Sequence, residues 1–157
     1  RDFNTKGCIA LPNSELVKLS NQIDYQNSIL IISKDRFPTT NKRKIGAILK
    51  QLFKWRYAWK YNNLETYLSF YDKQNFRKEN KFKFRYFSYL KKKIFQNQKD
   101  KILKFKNLKI IPYPSITKDI YKISFDEYFK SGNSEFRGEK VLYIKLKDDK
   151  ISIFLEN

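Results

Sequence analysis

The run Thr5-Lys6-Gly7-Cys8-Ile9-Ala10 carries the single cysteine of this chain. A thiol that follows glycine can be approached closely by substrate and by backbone, because no Cβ stands beside it. Sulfur attacks as thiolate, so near neutral pH it needs a base or a lowered pKa. Cleaving an amide would require attack of that thiolate on the carbonyl carbon. It would also require backbone N–H donors, such as those near Gly7 and Cys8, aimed at the developing oxyanion. Lys6 could lower the thiol pKa or bind a substrate carboxylate, or it could be a solvated loop lysine. The competing reading is that Cys8 is a small buried hydrophobe. One cysteine leaves no partner for an internal disulfide.

Other chemistry is excluded more firmly. The chain has no histidine, and no Cys/His cluster exists to hold a metal. Its four glycines, Gly7, Gly46, Gly132 and Gly138, form no phosphate-cradling loop. No cofactor is implied. Asp126 and Glu127 are adjacent in an expected strand and point to opposite faces, so they are not a paired acid and base.

The elements that must position these groups fall in two compositional blocks. Residues 1–33 hold three basic and three acidic residues, whereas 34–157 hold 31 basic and 13 acidic, giving the whole net charge of +18. Such a surface attracts polyanions. The same lysine richness also follows from a composition rich in Lys, Asn, Ile, Phe and Tyr and poor in Ala and Gly. No stretch reaches the roughly 20 apolar residues of a membrane span. A chain without methionine that begins at Arg1 is expected to be a piece of a longer polypeptide.

In 1–33, Pro12 and Asn13 punctuate the chain, and Asn13 is a good helix N-cap. Leu16, Leu19 and Ile23 recur at helical spacing, and the apolar run Ser28 to Ser33 reads as a buried strand. Residues 34–44, with Pro38, a Thr pair and a charge run, read as a linker. From 45 to 157 the signal is cleaner. Ile45, Ile48, Leu49, Leu52, Trp55 or Arg56, and Trp59 trace one helical face. Asn62 and Asn63 break that helix and cap the next, which carries Leu64, Tyr67, Leu68 and Tyr71. A third helix spans about Lys81 to Gln96, with Phe82, Tyr86, Tyr89 or Leu90, and Ile94 expected to face inward. Lys91, Lys92 and Lys93 form a basic turn on it, either simply solvated or drawn to an anionic murein or phospholipid surface. The period then changes to two at 101–111, 119–129, 140–147 and 150–156, with turns at 131–134 and 148–149. Helices followed by an antiparallel meander predict an α+β domain with three helices on a curved sheet of about four strands. Trp55, Trp59, Tyr67 and Tyr71 either pack its core or line a pocket.

Residues 43–157 resemble the nuclear-transport-factor-2-like (cystatin-like) fold. The resemblance lies in "WRYAWKYNNLETYLSFYDKQNF" and in a closing "KVLYIKLKDDKISIFLE". The stretch from Thr5 through Gly7, Cys8 and Ile9, with the helix and strand after it, resembles the end of an L,D-transpeptidase catalytic domain. Ala10 stands where that family usually has arginine. The tandem of the two segments is similar to the L,D-carboxypeptidases that trim murein tetrapeptides to tripeptides in curved and helical bacteria. The resemblance implies a periplasmic cysteine enzyme with Cys8 as nucleophile. It implies that Thr5, Lys6, Gly7, Ile9 and Ala10 lie around the oxyanion and substrate, and that an imidazole base lies outside these residues. It also implies peptidoglycan stem peptides as partner, and residues 45–157 as a module for wall binding or homodimerisation. A transpeptidase, and a non-catalytic basic module for nucleic acid, are the alternatives left open.

Overall fold

A computed structural model describes residues 10–25, 28–32, 38–79, 81–96, 100–115 and 117–157. They fall into two units, Arg1–Ile31 and Ile32–Asn157. In the first, helix α1 spans Asn13–Ser20. Its cap is Pro12, whose carbonyl accepts from Glu15 and Leu16, both at 3.0 Å. Asn13 therefore opens the helix rather than capping it. The described part of the apolar run, 28–32, forms no strand, and Ile29, Leu30 and Ile32 are exposed. Strand backbone needs a neighbour to bond, and no described segment pairs with this one.

The second unit is built on α2, Lys42–Lys60. The Asn41 side chain accepts from the Lys44 N–H at 2.9 Å, which caps it inside the segment expected to be linker. Ile48, Leu52, Trp55, Ala58 and Trp59 form its buried stripe. Asn62, at φ 59°, ends it in the left-handed conformation that asparagine tolerates. The Lys101 ammonium donates to the Trp59 carbonyl at 3.2 Å and to the Asn62 side chain. A cation there complements the negative end of the helix. Asn63 then caps α3, Leu64–Ser69, by accepting from the Thr66 N–H at 3.0 Å.

The sheet exceeds the expected one. Among the described residues it has six strands in the order β2-β1-β6-β5-β4-β3. The long ones are β3 (Lys101–Pro112), β4 (Ile120–Ser131), β5 (Ser134–Lys147) and β6 (Lys150–Glu156). The additions are β1 (Arg77–Lys78) and β2 (Phe82–Lys83), two residues each, too short to leave a periodic signal. β3, β4, β5 and β6 form the expected antiparallel meander, and β1 pairs with β6 in parallel, which makes the whole sheet mixed. Two-residue turns join β4 to β5 at Gly132 and Asn133, where Gly132 alone has positive φ, and β5 to β6 at Asp148 and Asp149, where both residues have the positive φ that a type I′ turn requires. Register shifts between Lys106 and Lys109 in β3, and between Tyr143 and Ile144 in β5, bend the sheet.

α4, Phe84–Gln96, reverses the expectation for its inward face. Phe87 and Phe95 are buried, whereas Phe82, Tyr86, Tyr89, Leu90 and Ile94 are exposed. The helix carries two apolar stripes, and the one that docks is rooted in Phe87, which packs at 4.6 Å on Phe76 and 4.8 Å on Tyr71. This orientation has a direct check. Phe87→Ala should cost about 3–5 kcal/mol in urea unfolding, and Tyr86→Ala less than about 1.

Candidate functional site

The residues expected to do cysteine chemistry, Thr5, Lys6, Gly7, Cys8 and Ile9, lie outside the described residues. Ala10 is exposed. The structure instead brings together the four aromatic candidates of the second unit. Trp55 stacks on Tyr67 at 5.5 Å, Trp59 lies 5.0 Å from Tyr67, and Tyr67 lies 5.3 Å from Tyr71. All four are buried. α2 supplies the tryptophans one turn apart, and α3 with the residue pair after it supplies the tyrosines one turn apart.

Their polar atoms lead to a cluster of charges. The Tyr71 hydroxyl is 2.8 Å from Glu156 Oε2 and 2.6 Å from the Tyr67 hydroxyl. A carboxylate only accepts, so Tyr71 donates to Glu156 and accepts from Tyr67. It also accepts from Trp55 Nε1 at 3.2 Å. The other oxygen, Glu156 Oε1, takes the Lys140 ammonium at 2.9 Å, and Lys140 lies 3.4 Å from Glu127 Oε2. Glu156 is fully buried and Glu127 nearly so.

Burial pushes the Glu156 carboxyl upward. The charges of Lys140 and Lys91, with the bonds from Lys140 and Tyr71, outweigh burial and hold it down to about 2. Burial likewise disfavours charge on Lys140, but Glu156 and Glu127 more than compensate and raise its pKa. Burial and the Glu156 charge push both tyrosines well above their ordinary range, so both are proton donors.

Lys91 is the exception in this balance. It reaches inward from α4 with its Nζ 3.7 Å above the Trp59 ring, 5.3 Å from the centroid of Phe87 and 5.5 Å from that of Tyr67. Burial lowers its pKa to about 7, against the attraction of Glu156. The Trp59 indole N–H is buried with no acceptor among the described residues. The ammonium lies on the face of the indole and the N–H lies in its plane, so the two donors do not share one direction. Lys91 thus leaves the basic turn in which the sequence groups it, while Lys92 and Lys93 stay on the surface.

An open groove of about 670 Å³ is lined by Lys104, Lys106, Asp126, Tyr128, Arg137 and Glu139, and it meets the cluster only at Glu127. None of the expected pocket residues borders it. Asp126 is exposed and Glu127 buried, on opposite faces of β4. Among the described residues, no group of three His, Cys, Asp or Glu could hold a metal ion.

Sequence reasoning did not find Lys140, Glu156, Glu127 or Lys91 as a set. Lys140 was discoverable, since it stands in the inward phase of Leu142 and Ile144. Glu156 was not. The register slip opposes Ile144 to Ile153 but Leu142 to Glu156, and that slip turns Glu156 to the face of Ile153.

A six-stranded mixed sheet with α2, α3 and α4 against it, enclosing a polar cluster, defines an α+β domain of the NTF2-like class. Residues 47–157 match the Cds6 C-terminal NTF2-like domain, and the chain belongs to that family. It is similar to the helical cell shape determining protein Pgp2 from Campylobacter jejuni at 38% identity and a TM-score of 0.82, over 99% of this chain and 55% of that one. A mutant of the same protein aligns at 37% identity and a TM-score of 0.86 with the same coverage. Bd1075 from Bdellovibrio bacteriovorus shares the fold at 20% identity and a TM-score of 0.73, over 98% of this chain and 54% of that one. The chain thus spans about half the length of these structures. No curated protein matches it.

Two substitutions separate the roles in the cluster. Glu156→Gln should cost about 3–5 kcal/mol at neutral pH, since it removes the nearer anion of Lys140, leaving only Glu127 at 3.4 Å, and gives Tyr71 an uncharged acceptor. The wild-type carboxyl falls from its ordinary 4.5 to about 2 on folding, so its contribution is complete above pH 4.5 and is lost as pH falls toward 2. Stability-against-pH curves of the variant should lack that acid limb. Lys91 runs the other way. With a pKa of about 7 folded and 10.5 unfolded, its charge opposes folding below pH 7, and the penalty fades as pH rises to 10.5. Lys91→Met should stabilise the protein at pH 6, and the gain should shrink by pH 10.

Proposed function

We propose that this chain is part of a periplasmic murein L,D-carboxypeptidase acting in cell shape, with a catalytic segment in 1–33, a linker in 34–44 and a wall-binding module in 45–157. The observation that carries the reading is the similarity to a helical cell shape determining protein along 99% of the chain, well beyond the NTF2-like domain. The Thr5-to-Ile9 run supplies the chemistry. The Cys8 thiolate attacks the L,D amide of a tetrapeptide stem, and backbone N–H groups near Gly7 and Cys8 hold the oxyanion. The terminal residue leaves, and water then cleaves the thioester to release the tripeptide. The imidazole base that the resemblance implies is not among these 157 residues, which hold no histidine.

In the module, Lys91 and the Trp59 N–H are donors in need of an acceptor. Murein stems offer carboxylates and amide carbonyls. The Lys140, Glu127 and Glu156 cluster keeps its charges satisfied internally and so holds the aromatic wall in place. An ammonium poised near neutrality charges when an anion arrives and is inexpensive to leave empty.

Activity and placement are tested separately. In the intact protein, Cys8→Ala should abolish release of tripeptide from murein tetrapeptide. Unchanged hydrolysis would remove Cys8 as nucleophile. Trp59→Phe keeps an aromatic side chain but deletes the N–H together with part of the indole, and it should weaken retention on purified sacculi by roughly five- to tenfold. Equal retention would remove this site from murein binding.

A further inference from the structure

Within the second unit, no described residue covers the outer stripe of α4. Phe82, Tyr86, Leu90 and Ile94 recur every four residues, are 39%, 48%, 37% and 42% exposed, and continue one line from β2 along the helix. The Phe82 and Tyr86 rings pack at 5.0 Å, and Lys93 lies 4.6 Å over the neighbouring Tyr89 ring. A stripe of this size on a helix already docked through Phe87 and Phe95 contributes nothing to the core.

Its surroundings have one sign. From Lys81 to Gln96 there are six basic residues and no acidic one. Lys91 turns inward, and Lys81, Lys83, Arg85, Lys92 and Lys93 are exposed. None of these five is in an ion pair among the described residues. A solvated face would be served by mixed charge and by polar residues in the stripe. A nucleic acid would reward the lysines but not the leucine and isoleucine. A bilayer surface rewards both: anionic headgroups meet the cations, tyrosines settle at the headgroup level, and aliphatic side chains enter the acyl boundary.

We propose that the outer face of α4, the Phe82–Tyr86–Leu90–Ile94 stripe with its flanking Lys83, Arg85, Lys92 and Lys93, is a docking surface for an anionic phospholipid membrane. The helix lies in the plane of the interface and does not cross it. No described helix is long and apolar enough to span a bilayer. This docking is independent of the murein reading, since it uses none of the groups assigned to catalysis or to the polar cluster.

The test is co-sedimentation of the 157-residue chain with vesicles of phosphatidylglycerol and phosphatidylcholine, against phosphatidylcholine alone. Binding should need the anionic lipid and fall with salt. Y86S/L90S/I94S, which leaves every charge in place, should lower partitioning by about tenfold. K92Q/K93Q should lower it severalfold. K104Q/K106Q makes the same charge change on β3, away from α4, and should leave binding near wild type. If the triple variant loses its native circular dichroism, L90S alone carries the comparison, with a smaller drop in the same direction. The proposal is overturned by any of four results: no binding to anionic vesicles, wild-type binding by the apolar variants, equal losses for the β3 and α4 charge pairs, or a solution dimer that Y86S/L90S/I94S dissociates.

Discussion

Glu156 is a carboxylate with no exposure at all, and such a charge must be answered at both oxygens. Lys140 answers one and Tyr71 the other. Each answering group then has needs of its own. The Lys140 ammonium has further N–H donors, toward which Glu127 offers a second carboxylate, and the Tyr71 oxygen has lone pairs that Tyr67 and Trp55 fill. One charge thereby ties β6 to β5, β4, α3 and α2. Apolar packing alone would permit these elements to slide against one another. Hydrogen bonds of fixed direction do not.

The aromatic residues are the medium in which this charge set operates. Trp55, Trp59, Tyr67, Tyr71, Phe76, Phe87 and Phe95 are all buried in a single core cluster. They exclude water from the carboxylates, which strengthens the ion pair and also lowers the pKa of Lys91. The same desolvation thus favours one cation of the site and penalises another. A core that contains both kinds holds its shape through the first and keeps an easily discharged cation in the second.

How far the sequence could be read depended on whether a feature was local. The α2 stripe, the Asn62 and Asn63 boundary and the four long strands all leave periodic or turn signals, and they were readable. The two-residue strands β1 and β2 left none, because they exist only through their neighbours. α4 misled for a different reason. Its sequence has two apolar stripes one helical side apart, and periodicity cannot say which of them meets a partner. The Trp and Tyr candidates were readable as a group because they recur one turn apart. Glu156 was hidden by a register slip, and Lys91 by two adjacent lysines that look alike in sequence. The apolar run at 28–32 read as a strand, but a run is only an offer of hydrogen bonds until another backbone accepts it.

Strand order sets a timetable for assembly. β6, which carries Glu156, is an interior member of the sheet, between β5 on one side and the short β1 on the other. A ribosome delivers it after every other strand. Until then β1 and β2 have no sheet to join, and Lys140, Lys91 and Tyr71 have no common anion. Without β6, the short β1 would have no long strand to pair with, and the Lys140 ammonium would keep Glu127 as its one anion.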